Sequence, residues 1–237
     1  MSKTYRSIFI SDVHLGTRDC KAEQLNNFLK HNSCDTLYLV GDIIDAWKIQ
    51  QNKWRWKQSH TNVVRRVLGH AKRGTKVIFI AGNHDVLFEK NNGIAKALVK
   101  ECPELIYLED SGVSIEGVNF WGSPVTPTFF NWAFNRNRGS AIRRHWEAIP
   151  DDTDVLISHG PPHKICDTVL RDRGFPDEVG CEELAKRVQQ LKLKLHLFGH
   201  IHFSGGSEKT FGSTIFSNVC LCNEDYRIVN EPKVFII

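Results

Sequence analysis

The chain has 237 residues, of which 41% are hydrophobic and 24% charged, with a formal net charge of +4. This excludes a disordered chain and allows a sizeable buried core in one domain spanning 1–237. The longest apolar runs, such as Val77-Ile78-Phe79-Ile80-Ala81, fall far short of the roughly 20 residues that cross a bilayer.

In chain order, Ser7 to Ile10 reads as a strand and Ala22 to His31 as an amphipathic helix with Leu25, Phe28 and Leu29 on one face. Thr36 to Val40 is a second strand, followed by a tryptophan-rich loop and a helix from Thr61 to Lys72. Strand Lys76 to Ile80, a short helix over Ile94 to Lys100 and strand Leu105 to Leu108 complete a βαβα half. Ser114 to Phe120 then reads as two strands around a Glu-Gly turn, which predicts antiparallel pairing. Helix Ala141 to Glu147, strand Val155 to Ile157, helix Glu182 to Leu191, strand Leu195 to Phe198 and strands Ser213 to Asn218 and Val234 to Ile237 follow. Two packed sheets with flanking helices are the simplest architecture.

No basic-then-apolar leader opens the chain, and the seven cysteines are odd in number without a CxxC pair. A reducing, cytoplasmic compartment is expected. Cys220 and Cys222 alternate along an expected strand and read as buried small hydrophobes rather than a metal site. The dispersed positive charge permits an anionic ligand but does not by itself predict binding of a nucleic-acid polymer.

Metal-binding side chains follow the strand ends. Strand one runs into Asp12-Val13-His14, strand two into Gly41-Asp42-Ile43-Ile44-Asp45, and strand three into Gly82-Asn83-His84-Asp85. Later strands end in His159-Gly160 and in Gly199-His200-Ile201-His202. The carboxyl ends of an open α/β sheet share one rim, so these fragments converge. Carboxylate, imidazole and amide oxygen suit zinc, manganese or iron, and the set exceeds one tetrahedral ion. Two ions sharing a carboxylate, as in displacements at phosphorus, are the natural reading. The glycines before Asp42, Asn83 and His200 let the backbone turn sharply as it leaves the sheet. Each fragment alone is an ordinary turn or a satisfied histidine; all five in order at strand ends are not a structural accident.

On these motifs the chain resembles the calcineurin-like metallophosphoesterases over almost its whole length. The resemblance implies a four-layer αββα sandwich of two mixed sheets flanked by helices. It places one metal on Asp12, His14, Asp42 and His202 and a second on Asp42, Asn83, His159 and His200, with Asp42 bridging. The ions are divalent or trivalent (manganese, iron, zinc or cobalt), with manganese the expectation. A bridging hydroxide would attack phosphorus in line. His84, outside both sets, is assigned to protonating the leaving oxygen or to stabilising the transition state. Asp45 either orients and charges His84 or stabilises its own turn, and Asp85 is expected to accept backbone amides rather than bind metal.

Residues up to about ninety, notably Ser11 to Arg18 and Tyr38 to Asp45, resemble bacterial UDP-2,3-diacylglucosamine diphosphatases. Trp121-Gly122-Ser123-Pro124, Asn131 to Asn135, His159-Gly160-Pro161-Pro162 and the Asn218 to Pro232 tail resemble the MPPED-domain phosphodiesterases, which act on cyclic nucleotides. The lipid enzymes carry an aspartate after their His-Gly and a long helical cap before GH-x-H, whereas here Pro161 follows and only about forty residues separate His159 from His200. A small nucleotide-like phosphodiester, including a cyclic nucleotide, is therefore the expected substrate, with the lipid diphosphate as the rival. A non-catalytic scaffold on the same fold is the rival from another class, opposed by His84 and the full ligand set. The aromatic, basic loop from Trp47 to Lys57 could stack a base, face a membrane or pack as a lid, and Phe129 to Arg138 poses the same choice.

Overall fold

A computed structural model describes residues 3–51, 55–91, 93, 97, 99–171, 174–231 and 233–235. Strands β1 (Lys3–Ser11), β2 (Asn32–Val40), β3 (Lys76–Ile80) and β4 (Leu105–Leu108) form one sheet in sequential order. Every pairing in it is parallel, with Phe9 against Tyr38 and Tyr38 against Ile78. Side chains alternate across a strand, so each strand serves two cores. Leu37, Leu39, Val77 and Phe79 face one cluster, in which Leu25 and Phe28 of helix α1 (Ala22–His31) and Val63 of helix α3 (Gln58–Lys72) also pack. Tyr38, Val40, Ile78 and Ile80 face the other way, toward Phe120, Val155, Ile157, Leu195 and Leu197 of the second sheet.

That second sheet is mixed and has the order β13-β14-β12-β9-β6-β5, from β5 (Ser111–Ile115), β6 (Val118–Ser123), β9 (Val155–Ser158), β12 (Leu195–Phe198), β13 (Glu208–Phe211) and β14 (Thr214–Asn218). The hairpins β5/β6 and β13/β14 are antiparallel, and the inner pairs are parallel. On its outer face Leu156, Phe198 and Phe216 pack with Ile142 and Trp146 of helix α5 (Ser140–Glu147) and Leu184 and Val188 of helix α6 (Glu182–Val188). Burying a side chain such as Trp146 is worth about 1.5–3 kcal/mol or more, and its indole N–H still donates to Cys181 Sγ at 3.2 Å. Helix, sheet, sheet, helix is the expected four-layer sandwich, but only the second sheet is mixed as expected; the first is wholly parallel, because its strands are joined by crossovers and not by hairpins. The direction change falls where the Glu-Gly turn predicts it, between β5 and β6.

The short helices α2 (Ala46–Gln50) and α4 (Val86–Lys90), and the small pairs β7/β8 (Thr126–Pro127 with Asn135–Arg136) and β10/β11 (Thr168–Leu170 with Pro176–Glu178), lie outside these sheets. Two of the small helices and β13 carry no periodic apolar signal; β13 is exposed at all four positions. Most of the helix expected over 94–100, and residues 236–237 of the expected last strand, lie outside the described residues. Val234 and Phe235 are not in a strand.

Candidate metal centre

The parallel strands β1, β2, β3, β9 and β12 end on one rim, and backbone bonds knit the loops that leave them. Asp12 N–H donates to Gly41 O at 3.1 Å, His14 N–H to Asp42 O at 2.8 Å, Gly41 N–H to Ile80 O at 2.8 Å and Gly199 N–H to His159 O at 3.0 Å. Asp12, His14, Asp42 and His200 all adopt positive φ, between 50° and 68°. Non-glycine residues hold that conformation at a cost of about 1–3 kcal/mol each, which surrounding bonds must sustain.

The backbone turns at all three glycines as expected: Gly41 takes φ +73°, Gly82 O accepts Asp85 N–H at 3.1 Å and Gly199 O accepts Ile201 N–H at 2.8 Å. Gly82 and Gly199 also permit close approach: a Cβ at Gly82 would strike Asp42, and one at Gly199 would strike Asp12 and Ser11.

Ligand atoms of Asp12, His14 and His202 lie within 4.8 Å of one another, as do those of Asp42, His159 and His200. Asp42 Oδ2 lies between the groups, 3.8 Å from His14 Nε2 and 3.5 Å from His159 Nε2. Asn83 Oδ1 is 2.7 Å from His159 Nε2, so the seven expected ligands converge. A third triad, His14, Asp45 and His84, shares His14 with the first.

These groups are nearly all buried, and among the described residues neither ring nitrogen of His14 has a hydrogen-bond partner. Buried carboxylates and unpaired imidazole nitrogens are costly in a dry interior, and cations between them remove that cost. The donor set therefore fits two oxygen- and nitrogen-bound metal ions.

The local field separates the histidines. Burial disfavours the charged form of His84, but the charges of Asp42 and Asp45 outweigh it and raise its pKa to about 9. Asp12 does the same for His202, also to about 9. Burial and the neighbouring His159 push His200 down to about 3. Burial alone would raise Asp42, yet the surrounding imidazoles hold its carboxyl well below the usual range.

Asp45 contacts the groups of both expected roles: Oδ1 is 3.1 Å from His84 Nδ1 and also accepts Lys48 N–H at 3.0 Å, while Oδ2 is 3.4 Å from His14 Nδ1. Asp85 accepts Gly82 N–H at 2.9 Å and Ile44 N–H at 3.1 Å, the backbone role expected of it. Burial and Asp42 raise its pKa to about 7.

Three neighbours of the site were given no place beside the metal ligands by the sequence. Cys220, fully buried, donates its S–H to Asp12 Oδ2 at 3.1 Å. It is a small buried side chain as expected, but it follows β14 instead of lying in a strand, and Cys222, expected to be buried with it, is only half-buried in the segment leading to the exposed tail. The Tyr226 ring sits edge-on to His14 and His202, at 5.2 and 5.3 Å between centroids. The Trp132 ring lies 5.2 Å from His84 and 6.2 Å from His200.

In the first aromatic loop, Trp47 packs on the first core with Lys90 Nζ 5.8 Å from its ring, and Trp56 donates to Thr61 Oγ1 at 2.8 Å. Trp47 behaves as part of a packed lid, whereas Trp56 is 38% exposed; Trp54 lies outside the described residues.

The chain matches the family described as Calcineurin-like phosphoesterase over residues 5–204. It is 35% identical over 181 residues to the human Metallophosphoesterase domain-containing protein 1, covering 66% of this chain and 53% of that protein. It is 33% identical over 199 residues to the Caenorhabditis elegans UPF0046 protein T07D4.2, covering 73% of this chain and 49% of the relative. The chain thus spans about half the length of these curated relatives. Among solved structures, the TT1561 protein of Thermus thermophilus superposes with a TM-score of 0.55 at 14% identity, covering 90% of this chain and 87% of that one. A dimetal phosphatase from Danio rerio gives 0.51 at 13% identity with the same coverages. At these identities the two structures are alike in fold.

Proposed function

Because the chain belongs to the calcineurin-like phosphoesterase family, we propose that it is a dinuclear phosphodiesterase acting on a small nucleotide-like phosphodiester. The observation that carries the reading is Asp42, one buried carboxylate set between a histidine of each cluster. Asp12, His14, Asp42 and His202 would hold one ion, and Asp42, Asn83, His159 and His200 the other, with manganese preferred. When bound, the two cations supply an activated water and neutralise phosphate oxygens. His84, charged by Asp42 and Asp45, carries a proton at the rim and delivers it to the departing oxygen. An alkoxide leaving group needs that proton, which favours an ester of an alcohol such as a nucleoside. Between His159 and His200 the chain is taken up by β10, β11 and α6, with α6 packed on the second sheet, so no helical cap stands over the site among the described residues.

The test is activity after metal removal and reconstitution with manganese, iron, zinc or cobalt. The panel is bis-p-nitrophenyl phosphate, p-nitrophenyl phosphate, 2′,3′- and 3′,5′-cyclic nucleotides and UDP-diacylglucosamine. Diesters, cyclic nucleotides among them, should be cleaved best. A preference for the monoester, or a kcat/KM for UDP-diacylglucosamine well above that for every diester, would overturn the substrate reading. Undiminished turnover with no detectable metal would overturn the dinuclear one.

A further inference from the structure

The loop between β7 and β8 presents an aromatic platform beside the metal centre. Phe129 and Phe130 are 48% and 69% exposed, and with Trp132 they form a cluster with centroid separations of 4.3, 5.2 and 5.4 Å. A lid hides its rings, whereas this loop turns two phenyl groups toward solvent. The loop is built to hold them there. Asn135 Nδ2 donates to the carbonyls of Phe129 at 2.9 Å and Phe130 at 3.1 Å, and Phe130 takes φ +52°. Ala133 N–H donates to Asn83 O at 3.1 Å, which ties the platform to the loop that carries Asn83 and His84. Trp132 joins the exposed rings to His84 and His200. The cations of the loop are engaged within the protein, Arg136 by Glu89 and Arg138 by Glu182, which disfavours an anionic membrane as the occupant.

We propose that Phe129, Phe130 and Trp132 form a subsite that stacks the nucleobase of the leaving nucleoside. The inference rests on the phosphodiesterase reading, and the position of Trp132 against His84 assigns the base to the leaving side. In the step this implies, the water oxygen bonds to phosphorus and gives up one proton to solvent, from which His84 is reprotonated after turnover, and the phosphorus–oxygen bond to the nucleoside breaks. The departing oxygen takes the His84 proton and leaves as a hydroxyl, and the second ester group stays on the phosphate.

The test uses the manganese-loaded full chain with adenosine 5′-(methyl phosphate) and its abasic counterpart, ribose 5-(methyl phosphate). The base should raise kcat/KM about tenfold, mainly through KM, and the products should be adenosine and methyl phosphate. Phe130→Leu and Trp132→Leu should collapse that ratio, and Phe130→Tyr should keep it. Adenosine monophosphate and methanol as products, or a ratio unchanged in both leucine variants, would overturn the proposal. Calorimetric titration with adenosine monophosphate against ribose 5-phosphate separates the subsite from turnover. Tighter binding of the base-bearing ligand, lost in Phe130→Leu, supports the subsite even where no diester is cleaved, and that pattern would sink the phosphodiesterase reading alone. Equal affinities would overturn the subsite, as would Phe130-dependent binding to phosphatidylcholine vesicles without discrimination of the base.

Discussion

Asp12 shows how single side chains tune a proposed ligand. Its Oδ2 receives the hydroxyl of Ser11 and the thiol of Cys220, while Oδ1 faces His202 Nε2 at 3.6 Å. Cys220 is itself pinned, its N–H donating to Asn218 Oδ1 at 3.1 Å and its carbonyl accepting from Asn230 Nδ2 at 3.0 Å. A donor behind a ligating carboxylate fixes which oxygen faces the metal, and its loss commonly costs ten- to hundredfold in affinity. Cys220→Ala should weaken one of two metal equivalents by about that factor in calorimetric titration, and Cys220→Ser, which still donates, should restore it. Asp42→Asn should weaken both equivalents, because this carboxylate faces both clusters. His84→Ala should retain both ions and lose about 10²–10⁴ in kcat, with the greater loss for alkoxide than for p-nitrophenolate leaving groups. The pKa of His84 is raised to about 9, so its proton is present below that pH and lost above it. Bound cations can only lower that value further. The alkaline limb of kcat should therefore have its midpoint at or below about 9 and vanish in His84→Ala.

At the scale of the element, the site is a property of strand ends. Leaving a parallel strand through a residue at positive φ turns its side chain back over the rim, and Asp12, His14, Asp42 and His200 all do so. This explains how far the sequence could be read. The five motif fragments and the buried strands were legible because residue type and apolar runs carry them, and β3, β4 and β12 fall on their expected limits. The exposed edge strand β13 carries no such pattern. The contacts of Cys220, Tyr226 and Trp132 with the centre depend on tertiary return of distant segments, which periodicity does not encode. The glycines were legible as necessary, but the reason at Gly199 is space, since a Cβ there would meet Asp12 and Ser11. Gly199→Ala should accordingly displace the Asp12 carboxylate and reduce bound metal from two equivalents toward one by elemental analysis, with circular dichroism unchanged.

For the whole molecule, the proposed ligands divide between the two sheets. Asp12, His14, Asp42 and Asn83 leave β1, β2 and β3, whereas His159, His200 and His202 leave β9 and β12. Below the rim the sheets are joined by apolar packing of Tyr38, Ile78 and Ile80 against Phe120, Val155 and Ile157. At the rim they meet through imidazoles and carboxylates, where cations would act as the fastener. An ion that binds only the folded chain stabilises it by about 2.7 kcal/mol at a free concentration one hundred times its Kd. For a chain of this length each kcal/mol is worth about 2–4 °C in Tm, so one tightly held ion should contribute about 5–10 °C. Chelation should lower Tm by at least that amount, and readdition of manganese should restore it in a concentration-dependent way. Asp42→Asn should melt near the chelated wild type and respond weakly to added metal, because the carboxylate between the clusters is lost. A chelated protein of unchanged Tm would show that apolar packing alone holds the sheets together and that the rim contributes nothing to their union.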